Sequence, residues 1–301
     1  MRCITVFTPS YNRRHTLHRV FESLKQQTYK NFEWIIIDDG SIDNTKSLID
    51  EFKAQNPFFE IRYYYQENQG KHIATNNAVK YAKGELFITL DSDDGCKPQA
   101  FEQLLNIWYS IPESERKSYK GVACRCCGFD SQDEILGTKF IVNSNGFLDS
   151  DDIEIRLKYK VQGELWGMTR TEVLRENPYP QAHGLKFYPE NVYWGNIGIQ
   201  YKTRYCNMPL RIYYYDNDNI TKRVNYKETF YIRQWVLQIV LPKKGFWYCP
   251  HYYAKQAVGL IRDGLSIGKT LKELYLIPTS LSGKIITIIA TPLGILLKKK
   301  S

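Results

Sequence analysis

The sequence predicts an α/β fold with a mostly parallel central sheet flanked by helices, followed by a helical C-terminal extension. Three observations carry this. Over the first hundred residues, short apolar runs alternate with stretches of helical spacing, the pattern of strands joined by crossover helices. One run, Trp34-Ile35-Ile36-Ile37, is apolar at consecutive positions, as a strand covered on both faces requires. From Asn225 onward the periodicity turns helical.

The elements follow in order. Cys3 to Thr8 reads as a buried strand, and Leu17, Val20, Phe21 and Leu24 follow at helical spacing. After the second strand, Asp43 or Asn44 caps a helix carrying Leu48, Ile49 and Phe52. Ile61 to Tyr65 is the third strand. Ile73 to Ala82 is a helix whose Ala74, Ala78 and Ala82 face away from Ile73, Asn77 and Lys80, and Gly84 is expected to end it. Leu86 to Leu90 is the fourth strand, and Pro98 introduces a helix over Ala100 to Trp108. The second half is less regular. Strands are expected at Val122 to Phe129, Glu164 to Met168, Thr203 to Asn207 and Leu210 to Tyr215. Helices are expected at Asp151 to Tyr159, Thr171 to Glu176 and Glu190 to Tyr201, with a turn at Asp130 to Glu134. No repeat or low-complexity segment interrupts the chain.

A chain of 301 residues with 43% hydrophobic residues can bury a sizeable core. The formal net charge is +9. Its excess is clearest at Lys243, Lys244, Lys269, Lys272, Lys284 and Lys298 to Lys300, a placement that fits a membrane surface better than a nucleic-acid groove. Seven scattered cysteines argue against a disulfide framework and for a reducing cytoplasm. Cys124, Cys126 and Cys127 are close enough to suggest zinc, but they alternate as a strand does and no second ligand pair follows, so they read as structural. The N-terminus opens on a strand-like run without a basic-then-apolar signal region, so no secretion is expected.

In open parallel sheets, ligands bind beyond the carboxyl ends of the strands. Thr8-Pro9-Ser10-Tyr11-Asn12-Arg13 follows the first strand and Asp38-Asp39-Gly40-Ser41 the second. Glu67-Asn68-Gln69-Gly70-Lys71 follows the third and Asp91-Ser92-Asp93-Asp94 the fourth. Crowded carboxylates repel unless a cation is present. A divalent metal with oxygen ligands, Mg²⁺ or Mn²⁺, is the simplest resolution, and such a metal keeps positions open for substrate phosphates. The alternative is that Asp91 to Asp94 only caps the next helix. The first loop has neither the Gly-x-Gly-x-x-Gly of a dinucleotide site nor the Gly-Lys-Ser/Thr of a P-loop. Thr8, Pro9 and Tyr11 instead offer a hydroxyl, a rigid turn and an aromatic face, which suit a base and ribose.

These runs, with Asn68-Gln69-Gly70-Lys71, Ala74, Asn76 and Gly84, resemble the signatures of family 2 glycosyltransferases in order and spacing. The match is tight over the first third and looser to about Tyr215. The resemblance implies a GT-A, Rossmann-like fold, a nucleoside-diphosphate sugar donor, a divalent metal and inversion at the anomeric carbon, in a hexosyl or N-acetylhexosaminyl transfer. It places Thr8, Pro9 and Tyr11 around the nucleoside and Asp39 on the imino N–H of the base. Uracil and guanine offer that N–H, so a UDP-sugar is the first choice of donor and a GDP-sugar the second. Arg13, Lys71 and Ser92 join the donor-binding set. Asp91 and Asp93 form the acidic pair of the metal motif, with Asp94 as a substitute metal ligand.

Deprotonation of an acceptor hydroxyl needs a general base. In the family this is a carboxylate of the second half, often the acid in a Glu-Asp pair opening a helix. Here the matching stretch, Phe187 to Trp194, carries Glu190-Asn191, so Glu190 is the candidate. A first-turn Glu favoured by the helix dipole is the plain alternative, and Asp149, Asp151 and Asp152 compete. Trp166 is either a sugar-stacking wall or a core residue. Asn219-Ile220-Thr221 with Lys222 and Arg223 resembles a polar segment near the diphosphate.

The expected layout is a catalytic domain over 1–220, with a donor half at 1–111 and an acceptor half at 112–220, then an extension over 221–301. In the extension, Ile285 to Leu297 is apolar apart from Thr287 and Thr291 and is closed by lysines. A span needs about 20 apolar residues, so 285–300 is expected to be an interfacial anchor or a helix packed on the domain. The expected partners are a nucleotide sugar, a glycan or lipid-linked acceptor and the cytoplasmic membrane face, with no nucleic acid. Surface polysaccharide assembly is the implied setting. The rival readings are a metal-dependent sugar nucleotidyltransferase and a non-catalytic carbohydrate- or membrane-binding protein. The first would be expected to carry a Gly- and Arg-rich first loop, and the second would not need both acidic clusters.

Overall fold

The computed structural model describes residues 4–180, 188–215 and 226–298. The elements run β1 (Ile4–Ser10), α1 (Leu17–Lys25), β2 (Phe32–Asp38), α2 (Thr45–Ala54), β3 (Glu60–Tyr65), α3 (Lys71–Tyr81), β4 (Leu86–Thr89), β5 (Gly95–Cys96) and α4 (Ala100–Tyr109). Then come β6 (Tyr119–Gly128), β7 (Phe147–Ser150), α5 (Glu154–Leu157), β8 (Leu165–Arg170), α6 (Thr171–Glu176), α7 (Glu190–Gly198) and β9 (Lys202–Tyr213). The remainder is helical: α8 (Tyr226–Trp235), α9 (Leu241–Lys244), α10 (Pro250–Ser266), α11 (Leu271–Leu276) and α12 (Leu281–Leu296). The chain divides into two units, Met1–Tyr188 with Gly195–Asn217, and Pro189–Trp194 with Asp218–Ser301.

The first unit is one mixed sheet in the order β3-β2-β1-β4-β8-β6-β9-β5, with β7 paired to β9. Strands β3, β2, β1 and β4 are mutually parallel, and β8 turns antiparallel against β4. Strands β1, β2 and β4 are buried on both faces, whereas β3, at the edge, is only partly covered. Trp34, Phe21, Phe52 and Phe59 pack together on one face, with the Phe21 and Phe52 rings stacked at 4.1 Å. Glu33 is fully buried within β2, and its charge is met by Arg62 at 2.9 Å, the Thr5 hydroxyl at 2.8 Å and the Lys83 N–H at 2.6 Å. An unpaired buried carboxylate would be costly.

Three local expectations are corrected. Gly84 does not end α3 as a cap: the helix closes at Ala82, whose N–H donates to Ala78. A Cβ on Gly84 would lie 2.4 Å from the Thr5 nitrogen, so the glycine serves close approach to β1. The expected strands at 203–207 and 210–215 are one strand, β9, running through Pro209. That residue sits opposite Arg125 between two register shifts, where a ladder tolerates a missing N–H. The helix expected at 151–159 is a single turn, α5.

The second unit packs α8, α10 and α12 as helix on helix. Asp263 of α10 is fully buried and accepts from Arg233 of α8 and from Arg262, each at 2.6 Å. Among the described residues no helix is long and apolar enough to cross a membrane.

Candidate active site

The loops after β1, β2 and β3 are laced together at the carboxyl edge of the sheet. Asn12, at φ 53°, donates its backbone N–H to Ser41 Oγ and accepts from Ile42, both at 2.9 Å. Asp39 is 5% exposed. Its Oδ1 accepts from Gln69 N–H at 2.8 Å and Gln66 Nε2 at 2.7 Å, and its Oδ2 accepts from Gly70 N–H at 2.8 Å. Gly70 aims that N–H from φ 94°, which only glycine adopts easily. Asp39 therefore organises the 66–70 segment, and Oδ2 retains one lone pair for a further donor. Tyr11 stands above this edge, 51% exposed.

Thr8 is placed differently from expectation. It is fully buried, and its hydroxyl accepts the Trp34 indole N–H at 3.0 Å inside the core. It offers no hydroxyl to a ribose. Pro9 is half-buried and Tyr11 exposed, so these two of the three expected nucleoside residues reach the surface.

Alternation also sorts the acidic run. The Asp91 and Asp93 side chains are 26% and 28% exposed, whereas Ser92 and Asp94 are turned inward at 8% and 1%. Sequence reasoning assigned the repulsion within this run to an absent metal. In the structure two side-chain cations answer it. Arg211 of β9 donates from Nε to Asp94 Oδ2 at 2.8 Å and from Nη2 to Asp91 Oδ2 at 2.6 Å, with a second, shorter contact from Nη2 to Asp94. Lys71, the first residue of α3, reaches Asp91 Oδ1 at 2.9 Å. Two more cations face Asp93: Arg13 lies 3.7 Å from its carboxylate, and Arg19 donates to its carbonyl at 3.1 Å. Asp94 is thus spent on Arg211 and on the Tyr214 N–H at 3.3 Å, and it is not presented as a metal ligand.

The electrostatics follow the burial. Burial alone would push Asp91 up, but Lys71 and Arg211 outweigh it and hold the carboxyl well below the usual range. Burial pushes Asp94 up to about 7, against the pull of Arg211 and with help from the Asp91 charge. Burial works against the Arg211 charge, yet Asp91 and Asp94 raise its pKa well above the ordinary value.

Arg211 and Arg19 are not singled out by the sequence. Glu164 lies 3.5 Å from Arg211 Nη1 with its side chain 60% exposed. Its carbonyl is held by Arg125 at 3.1 Å, a fully buried guanidinium that also takes the carbonyls of Leu136 and Gln162. The available signal for Arg211 was its place between Leu210 and Ile212, where a buried guanidinium needs polar partners.

Among the base candidates, Asp149 is paired with Arg204 at 2.8 and 2.7 Å. Asp151 accepts the Ile153 and Glu154 N–H groups, both at 2.8 Å. Asp152 is held by Lys120 at 2.6 Å and the Tyr205 hydroxyl at 2.8 Å. Glu190 opens α7, within the second unit. Trp166 is a core residue, 4% exposed, donating its indole N–H to the Thr89 carbonyl at 2.6 Å. The segment Asn219 to Arg223 lies outside the described residues.

No three metal-ligating side chains converge among the described residues, so an all-protein cage is not built. Asp91 and Asp93 do fit a Mg²⁺ or Mn²⁺ that takes one or two carboxylates and completes its shell with water and substrate phosphate. Both side chains are partly exposed, and an ammonium already stands on Asp91 Oδ1.

Residues 5–114 match the family model described as Glycosyl transferase family 2. GlyG of Streptococcus pneumoniae, a glycosyltransferase, is 39% identical over 102 residues, 34% of this chain and 33% of that one. Chondroitin synthase of Escherichia coli is 36% identical over 103 residues, 34% of this chain and 15% of that one. The chain thus spans a third or less of either curated relative. Among solved structures, residues 1–349 of Staphylococcus aureus TarS in complex with UDP align at TM-score 0.57 and 13% identity, over 96% of this chain and 89% of that one. The Pyrobaculum calidifontis mannosyltransferase PcManGT, in complex with GDP-Man and Mn²⁺, aligns at TM-score 0.51 and 18% identity, over 99% and 88%. At such identities the likeness establishes the fold, and the fold is GT-A.

Proposed function

We propose that this chain, whose residues 5–114 are a family 2 glycosyltransferase domain, transfers a sugar from a nucleoside-diphosphate sugar to a hydroxyl of a glycan or lipid-linked acceptor. One observation carries the reading: consecutive residues Gly70 and Lys71 tie Asp39 to Asp91, so a nucleoside-facing carboxylate and a phosphate-facing acidic pair share one edge. Asp39 Oδ2, with its spare lone pair, accepts the imino N–H of uracil or guanine, and Tyr11 lies against the base. A UDP-sugar is the preferred donor. TarS was solved with UDP and PcManGT with GDP-Man, so both nucleotides belong to the test.

Asp91 and Asp93 would hold a divalent cation, which when bound offsets the charge of the leaving diphosphate. Arg13, Arg19 and Lys71 add fixed positive charge beside it. Lys71, 37% exposed, can swing from Asp91 onto a phosphate oxygen, while Arg211 is buried and keeps Asp91 aimed. Glu190 takes the proton of the acceptor hydroxyl. The new acceptor-oxygen bond forms at the anomeric carbon as the bond to the diphosphate oxygen breaks on the opposite face, so configuration inverts. Chondroitin synthase among the relatives favours polysaccharide assembly as the setting. A reducing, cytoplasmic location accords with the free thiols of the six described cysteines.

A panel of nucleotide sugars tests this by thermal stabilisation and by hydrolysis with and without Mn²⁺. UDP-sugars should raise the melting temperature and be hydrolysed with metal, and Asp93→Ala should lose the hydrolysis while remaining folded. Stabilisation by GDP-sugars alone would reassign the donor. No response to any nucleotide sugar would defeat the proposal.

A further inference from the structure

Helix α12 is amphipathic in the reverse of the usual sense. Gly283, Ile286, Thr287, Ala290, Thr291 and Gly294 are buried, with Gly294 set against Ile261 of α10. The opposite face carries Leu281, Ile285, Ile288, Ile289, Leu293 and Leu296, which are 48–79% exposed. Their spacing of three and four places them on one stripe. A water-facing helix puts its polar stripe outward, and this one presents branched aliphatic side chains along its whole length.

The surroundings specify what covers that stripe. The first turn of α12 lies beside α9, where a Cβ on Gly283 would be 3.2 Å from Leu241, and Thr279 donates to the Gln238 carbonyl at 3.0 Å. Helix α9 carries Lys243 and Lys244, and Trp247 follows it, 86% exposed. Between Val236 and Lys298 the chain has eight lysines and arginines and two acids. Of those acids, Asp263 is buried between two arginines, and Glu273 is taken by Thr270 and Lys269. An exposed tryptophan, an aliphatic stripe and exposed lysines, among them Lys284 within α12 and Lys298 at its end, are what an anionic lipid surface accepts: aliphatic side chains below the headgroups, ammonium groups among the phosphates. A second copy of this chain would carry the same excess of lysines to the contact. With 16 residues, α12 is about 24 Å long and too short to cross the ~30 Å hydrocarbon layer.

We infer that the second unit docks on an anionic membrane surface, with α12 lying in the interface and Trp247 and the α9 lysines seated at headgroup depth. This goes beyond the transfer reaction and does not depend on it.

Co-sedimentation of the full chain with vesicles tests the inference. Vesicles of phosphatidylglycerol and phosphatidylcholine in equal parts should pellet the protein, and pure phosphatidylcholine should bind at least about ten-fold more weakly. About 0.5 M NaCl should weaken the anionic binding comparably. Ile289→Glu with Leu293→Glu should abolish binding, and Lys243→Gln with Lys244→Gln should reduce it by roughly an order of magnitude. All four positions lie at the surface or rim, so melting temperature and monomer mass should stay unchanged, and light scattering checks this. Equal binding to both vesicle types, or unaltered binding by Ile289→Glu with Leu293→Glu, overturns the inference. So does a wild-type dimer that this variant dissociates without any vesicle binding, because the stripe would then be an interface between copies.

Discussion

Replacing Arg211 by Met removes one guanidinium and leaves two carboxylates behind. Asp94 is 1% exposed, and Arg211 is its side-chain cation at 2.8 Å. Breaking a buried pair from one side costs about 3–5 kcal/mol, because the remaining charge has lost both water and its partner. Asp91 suffers less, since Lys71 stays 2.9 Å from it. The loss should depend on pH in a defined sense. Burial already pushes Asp94 up to about 7 in the intact site, and removing Arg211 raises it further. An acid whose folded pKa lies above its unfolded value binds more protons when folded, so its stability contribution rises as pH falls. Arg211→Met should therefore be most destabilised near pH 9, and the deficit should shrink as pH falls toward 7, where Asp94 protonates in the variant first, and level off below that, where it is protonated in both proteins. Urea unfolding with chelator present, at both pH values, measures this. Asp94→Asn in the Arg211→Met background should recover part of the loss at pH 9, giving a coupling energy between the two sites. A pH-independent loss under about 1 kcal/mol would mean that Arg211 is not the counter-ion of this cluster.

Glu190→Gln should leave nucleotide binding by calorimetry intact and lower transfer by about 10²- to 10⁴-fold. Near-normal turnover would move the base elsewhere, with Glu164 the exposed acid nearest Arg211. Thr8→Val should cost ~1 kcal/mol through the lost Trp34 hydrogen bond and leave donor affinity unchanged, whereas Tyr11→Ala should weaken donor binding without loss of stability. Burial pushes the Cys96 and Cys126 thiols up to about 12 and Cys206 to about 11. These three should resist iodoacetamide at pH 8 until the chain is unfolded, as mass spectrometry of the labelled peptides would show.

What could be read from sequence was what is local. Strands β1 to β4 announce themselves by consecutive apolar residues, and their polar ends mark the sheet edge. Asp91 and Asp93 separate from Ser92 and Asp94 by simple alternation once β4 is placed. Strand β5, two residues long, and β7, four, carry no period that a reader could detect. Strand β9 reads in sequence as two strands, 203–207 and 210–215, and the register shifts around Arg125 are what let one strand run through Pro209. The direction of the Thr8 hydroxyl depended on Trp34, a residue of another strand.

The larger omission, Arg211, has a general cause. A cluster of carboxylates poses a charge problem that sequence can state, but the answer lies 117 to 120 residues away and enters through strand pairing. Strand β5 continues directly from the acidic run and pairs with β9 at Gly95–Ile212 and Cys96–Arg211. That pairing sets the arginine beside the loop that precedes β5. The metal reading from sequence treated the acids as a set awaiting one cation. The folded site sets Arg13, Arg19, Lys71 and Arg211 against Asp91, Asp93, Asp94 and Glu164, so the acidic run is answered by side-chain cations without any metal. Of the two cations on Asp91, the buried one is fixed and the exposed one can move, so Lys71 can leave Asp91 while Arg211 holds the carboxylate in place.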